Sequence, residues 1–447
     1  MASSTPVDPT VTPDSSRFFC SVVPDFLVEA IANSDEFSAE ARDSAQQFLK
    51  LLQNPPLAPV DAADGEDDED AADDPDQDPG QADGGGDTTG PVTTGDDTAP
   101  AEEPQKTDGA TNEDGTEAAG GPVSRSDTDG TGAGQSPAPL PTSGQSAPQN
   151  PPTFPWKVTR RVFDLKGSPD LSRLPGTRVR VEGDPVNKSR DPAVNDVFNN
   201  LGLVSVFYNR VLHRSSFDGV DGIIKATVHC GGNKGLGAWN GKQLIFDDGG
   251  IIFGPFTNAL DIIGHEVTHG LIDHTAMLAK FFQPGALNES ICDVFGVLAL
   301  QYSRNQLAKD AAWTIGESTV KFGNLRFPIR SMKNPGSAFK FGDYKDLQVG
   351  HYRDWVTQDA SRDGGGIHKN SGIPNRAFYL AAIGLGGHAW DRAGPIWYAV
   401  LTGNRIHPNC TFLEFARLTV DTAEVMFGQR ASFTVYGAWT QVGVVLK

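Results

Sequence analysis

Apolar positions follow two successive regimes from about residue 154 to the C-terminus. Between about 156 and 256 they form short β-type runs, VTRRVFDL, TRVRVEG, IIKATVHC and KQLIFDD, separated by Gly, Asp and Asn. One helical pattern interrupts them over about 191–212, where Val194, Val197, Phe198, Leu201, Val204 and Phe207 share a face. From about 258 onward helical spacing prevails. This predicts an α+β chain, with a β-rich lobe over 151–262 and an α-helical lobe over 263–447. The stretch GHEVTHG, 264–270, falls on the helix that joins them.

Upstream, Phe26, Leu27, Ile31, Phe48, Leu51 and Leu52 recur at helix-like intervals, so residues 1–54 are expected to hold a small helical module. Ser34, followed by Asp35 and Glu36, reads as the cap of its second helix. Residues 55–150 are mostly Asp, Gly, Pro, Ser and Thr. Such a segment buries too little apolar surface to offset its chain entropy, so an acidic, disordered linker is expected there.

Charge sharpens that division. Residues 61–130 carry 23 acids against Lys106 and Arg125, whereas residues 131–447 carry 26 acids and 32 bases. The net charge of −20 therefore belongs to the linker and says little about partners of the folded part. Nothing in it points to nucleic acid, and a monomer is expected. The four cysteines are scattered and form no CxxC pair, which argues against a disulfide scaffold or a cysteine zinc site. The first residues lack a basic stretch followed by an apolar one, so no secretory signal peptide is read. No apolar run is long enough to span a bilayer.

His265 and His269 are four apart, on one face of a helix, with Glu266 beside them. That spacing suits a zinc ion with the glutamate as base. Taken alone it also suits a buried helix whose histidines are merely hydrogen-bonded. Further positions favour the metal. Gly285 reads as a break, after which Asn288 and Glu289 open a second helix. Folded back antiparallel, that helix would bring Glu289 to the two histidines, leaving a fourth zinc position for water. Asp293, one turn on, would accept a ligand histidine's ring N–H. A further histidine, His368, stands in the polar, Gly-rich stretch DGGGIHKNSG, 363–372, as a residue presented at a cleft.

HEVTH, GALNESICDVFG, WTIGE, IRSMKNP and DGGGIHKNSGIPNRAFYL, together with VRVEGDPVNKSRDPAVND and AWNG, resemble the thermolysin family of zinc metalloproteases over about 156–447. The resemblance implies a two-lobed zincin with its site between the lobes. It implies His265, His269 and Glu289 as zinc ligands, Glu266 as proton carrier for a zinc-activated water, and His368 as stabiliser of the tetrahedral intermediate, oriented by Asp363. Arg330 would bind a substrate carbonyl, and Ala238 and Trp239 would line the substrate's path. Phe253 and Ile329 would line an apolar pocket after the scissile bond. Large residues are preferred in such a pocket, because burying one is worth about 1.5–3 kcal/mol. Asp261 and Glu317 match family calcium ligands, although neighbouring ligand positions hold Leu300, Ala312 and Thr314.

RFFCSVVPDFLVEAIANS is similar to the short precursor of the protealysin-like branch, which implies a zymogen whose own N-terminal segment inhibits it. Where that branch has a Pro-Pro pair, this chain has Pro24-Asp25. Cys20 offers a thiolate that would reach zinc, or else packs as a small apolar side chain. Two cleft positions also depart from the family: Leu236 replaces an asparagine and Lys280 replaces a tyrosine. They leave open an alternative function, a zinc protein that holds peptides without cutting them. Peptide or protein substrates are the expected partners. Secretion by a route without a signal peptide is the expected location, with the cytoplasm as the alternative.

Overall fold

The computed structural model of the protein describes residues 20–53 and 158–446, apart from 187, 233, 234 and 318. The expected linker, 55–150, and the side chain of Cys20 lie outside the described residues.

The N-terminal module opens on a short strand, β1 (Cys20–Ser21), followed by helices α1 (Asp25–Ala32) and α2 (Ala39–Gln53). Pro24 fixes the chain at the start of α1, where a missing N–H costs nothing. The strand was not legible as one. Ser34 does not cap α2: its hydroxyl accepts the Glu36 N–H, while Ser38 takes the Ala41 N–H at the true helix start. A serine three residues before that first-turn amide has the reach for a cap, whereas Ser34 is spent on a turn.

The β-rich lobe contains β2 (Arg160–Asp164), β3 (Thr177–Val181), α3 (Pro192–Leu212), β4 (Ile224–Val228), β5 (Gly237–Trp239) and β6 (Leu244–Phe246). Asp191 caps α3, accepting the Ala193 N–H at 2.8 Å, and Pro192 follows at the first helical position. The strands form one six-stranded sheet in the order β1-β5-β6-β4-β2-β3. β1 therefore forms one edge, paired antiparallel to β5 with Cys20 opposite Trp239 and Ser21 opposite Ala238.

The helical lobe follows with α4 (Leu260–Asp273), α5 (Phe282–Ser303), α6 (Asp363–Asn370), α7 (Gly372–Leu385), α8 (Ala393–Leu401), α9 (Phe412–Phe427) and α10 (Gln429–Gln441). The expected lobe boundary at 262 falls inside α4. Gly285 does not break the chain either. α5 runs through it from Phe282, and Glu289 stands in its second turn. No helix among the described residues is long and apolar enough to cross a membrane.

Candidate active site

Two glycines set the distance between the helices that carry the motif. A Cβ on Gly264 of α4 would come within 2.9 Å of the Gly296 Cα on α5, and one on Gly296 would fall 2.3 Å from the Asp261 carbonyl oxygen. Only hydrogen fits at that crossing, so the two backbones approach closely. This approach brings Glu289 opposite His265 and His269. Its carboxylate oxygens lie 3.6 Å from His265 Nε2 and 3.8 Å from His269 Nε2.

All three residues are buried. Each histidine is held from behind. His265 Nδ1 donates to Asp293 Oδ1 at 2.9 Å, and His269 Nδ1 donates to Asn288 Oδ1 at 2.9 Å, with Cys292 Sγ 3.2 Å from the same nitrogen. These bonds direct both Nε2 atoms toward Glu289. Neither Nε2 has a hydrogen-bond partner, although both are buried. Two buried, unpartnered ring nitrogens aimed at one carboxylate are costly without a ligand and suit a bound cation. The set fits zinc.

Asp293 is shared further. Arg330 donates to its two oxygens at 2.7 and 2.8 Å, and Asn375 Nδ2 donates at 2.8 Å. Burial opposes the charge on Asp293, but Arg330 and His265 hold its pKa down to about 2. Glu266 lies one residue past His265. Its Oε2 accepts the Trp239 N–H of β5 at 2.7 Å, while its Oε1 is buried with no hydrogen-bond partner. Burial pushes this carboxyl up to about 8.

His368 lies on α6. Asp363, Gly364, Gly365 and Gly366 all take left-handed φ, from 49° to 89°, and then α6 continues in regular form through His368. Three glycines tolerate that conformation at little cost. The reversal brings Asp363 Oδ1 within 2.5 Å of His368 Nδ1. Burial works against a charged ring, yet Glu289 and Asp363 hold the His368 pKa well above its ordinary value. His368 Nε2 is 3.2 Å from Glu289 Oε2.

The N-terminal module occupies this cleft. His368 Nε2 donates to the Ser21 carbonyl at 3.0 Å, Arg330 Nη1 donates to the Val22 carbonyl, and Val22 N–H donates to the Gly237 carbonyl at 3.3 Å. Behind the strand, Phe48 meets Phe253 edge-on at 6.3 Å, and Phe37 meets Phe322 and Phe341 at 4.8 and 4.9 Å. Tyr344 donates to the Asn33 carbonyl at 2.8 Å.

Other expected residues fall in different settings. Ala238 and Trp239 lie on β5, facing β1. Phe253 and Ile329 are fully buried. Lys280 Nζ is 3.8 Å from Asp273, whose other oxygen accepts the Trp239 indole N–H at 2.8 Å. Its ammonium thus supports β5. Asp261 and Glu317, the expected calcium pair, line one pocket. Asp261 Oδ2 accepts the Gly316 N–H at 2.7 Å, and Glu317 faces the Arg304 guanidinium at 3.8 Å. Hard cations need several oxygen ligands, and the cleft there is lined by Leu300 and Arg304 as well. Sequence reading missed Asn288 and Asn375. Asn288 precedes Glu289 directly, which is the one signal available for it.

The arrangement brings two histidines and a glutamate together on α4 and α5. Residues 153–273 match the family described as thermolysin metallopeptidase, catalytic domain, and residues 276–444 match its alpha-helical domain. The chain belongs to the thermolysin metallopeptidase family, whose members depend on zinc, and it is a metalloendopeptidase. It is 44% identical over 292 residues to Protease PrtS of Photorhabdus sp. (strain Az29), covering 64% of this chain and 77% of that one. It is 42% identical over 295 residues to the extracellular metalloprotease of Pectobacterium carotovorum subsp. carotovorum, covering 65% and 82%. Among solved structures, the precursor of protealysin, the metalloproteinase from Serratia proteamaculans, aligns with a TM-score of 0.61 and 41% identity, covering 65% of this chain and 88% of that one.

Proposed function

We propose that His265, His269 and Glu289 hold a single zinc ion and that the chain is a secreted endopeptidase latched by its own residues 1–54. The observation that carries this reading is the pair of buried, unpartnered Nε2 atoms converging on Glu289. When bound, zinc supplies a Lewis acid and brings the pKa of water down to about 7. Glu266, fixed by the Trp239 amide with one oxygen to spare, takes the proton from the attacking water and passes it to the leaving amine. His368, its ring held by Asp363 Oδ1, donates to the substrate carbonyl as it becomes an oxyanion. Arg330 holds the next carbonyl, and β5 receives the substrate as an added antiparallel strand.

With Glu266, Asp363 and His368 all in place, catalysis is favoured over peptide holding alone. The N-terminal strand lies where a substrate would lie, which supports inhibition in cis, and the linker is the proposed place for the activating cut. Secretion is supported by the similarity to an extracellular enzyme. Casein hydrolysis by the activated chain, before and after chelation, is the test. Loss with chelator and return with about one equivalent of zinc supports the reading. Hydrolysis that survives complete removal of zinc refutes it.

A further inference from the structure

We infer that the Ser21–Val22 peptide bond is itself a substrate of the site, bound in the register for cleavage. The inference rests on the proposed catalytic reading above.

The observations concern both sides of one peptide unit. Its carbonyl accepts from His368 Nε2 at 3.0 Å, and its N–H donates to the Gly237 carbonyl at 3.3 Å. The following carbonyl, that of Val22, accepts from Arg330. Two residues along β5 from Gly237, the Trp239 N–H holds Glu266 at 2.7 Å. The His368 ring that meets the Ser21 oxygen also stands 3.2 Å from Glu289. The Ser21 carbonyl therefore meets the His368 donor, on a strand paired with β5, which also holds Glu266. Other backbone groups of the module meet ordinary structural partners, as Asn33 does with Tyr344.

The residue after this bond agrees. Val22 is fully buried, so the site closes over a β-branched apolar side chain there, and Ser21 before it is small and 3% exposed. The reaction is hydrolysis. Water adds its oxygen to the Ser21 carbonyl carbon, the C–N bond to Val22 breaks, and Glu266 carries a proton from the water to the departing nitrogen. The products are a Ser21 carboxylate and a Val22 ammonium.

Cleavage at this bond does not release the inhibitor. From Val23 to Phe48 the module is anchored by Phe26, Leu27, Ile31 and Phe48, all buried, and by the Glu29–Arg362 pair at 3.4 Å. The nicked segment stays seated with its new amine in the cleft. Activation then needs a second event elsewhere in the chain.

The test uses the full-length chain, purified without metal and then given zinc. Intact-mass analysis and N-terminal sequencing are expected to find Val22 as a new N-terminus, formed at a rate independent of protein concentration. Glu266→Ala is expected to abolish it, and Val22→Asp to slow it at least about tenfold. Hydrogen exchange on the metal-free chain is the second readout: the Val22 amide is expected to be protected, and Val22→Asp to expose it. If the chain activated in the linker hydrolyses casein while the Ser21–Val22 bond of the full-length chain stays intact, this inference fails and the proposed function stands. If the full-length bond stays intact and the activated chain leaves casein uncut, both fail. If the Val22 amide exchanges freely, the register is wrong.

Discussion

Arg330 grips both carboxylate oxygens of Asp293, at 2.7 and 2.8 Å, while Asp293 holds the ring of His265. One buried ion pair thus joins the residue that holds the Val22 carbonyl to a proposed metal ligand. Removing one partner of such a pair leaves a buried charge and costs about 3–5 kcal/mol. Arg330→Met is expected to lower the melting temperature and raise KM together. Thermal unfolding beside steady-state kinetics checks this, and an unchanged melting temperature would show that the pair carries no stability.

Asp293→Asn keeps an acceptor for His265 but removes the charge behind it. Zinc affinity is expected to fall about 10–100-fold, the usual effect of losing such a partner. Competition with a chromophoric chelator measures it. Equal affinity in the variant would mean that Asn375 and Arg330 order the ring without Asp293.

The α4–α5 crossing yields a steric prediction. Gly296→Ala places a methyl against the Asp261 carbonyl. Overpacking of this kind costs about 1–3 kcal/mol, and here it also separates Glu289 from the histidines. Lower stability with weaker zinc binding is expected. Wild-type values for both would overturn the close-approach account.

Asp25 makes the latch depend on pH. Its Oδ1 is buried without a hydrogen-bond partner. Burial and then the Asp363 charge lift its pKa from 3.8 to about 6, with His368 and Lys369 opposing and Glu29 assisting. The docked segment thus binds more protons than the free one between those values. Docking is strongest below about pH 4 and weakens as pH rises through about 6, by up to about 3 kcal/mol. The latency of casein hydrolysis in the full-length chain is expected to shrink over that window. Asp25→Asn is expected to stay latent throughout, and identical profiles for the two would contradict the role of Asp25.

Phe253 and Ile329, both buried, are the proposed apolar wall of the pocket after the scissile bond. Cleavage before Leu, Ile, Val or Phe is expected in peptide libraries read by mass spectrometry. A preference for charged residues at that position would contradict it.

Much of the site was legible because ligand spacing is a local property. HEVTH puts His265 and His269, the proposed ligands, about one helix turn apart, and Glu289 and Asp293 share a face of the next helix. The strand β1 was hidden, since two residues carry no period and their partners, Trp239 and Ala238, lie 219 and 217 positions away in sequence. The start of α5 was misplaced because Gly285 signals a break in isolation. In the fold it is a close contact, where a Cβ would meet Ile367 and the Lys280 backbone. The setting of Lys280 was likewise out of reach, since Asp273 becomes its neighbour only after α4 and α5 pack.

The central claim separates metal binding from proton transfer within one helix turn. Glu266→Ala, purified and analysed for metal beside its proteolytic activity, tests this most directly. The account predicts about one zinc per chain and no detectable hydrolysis of casein. Loss of zinc along with activity would contradict it, and so would activity retained in the variant.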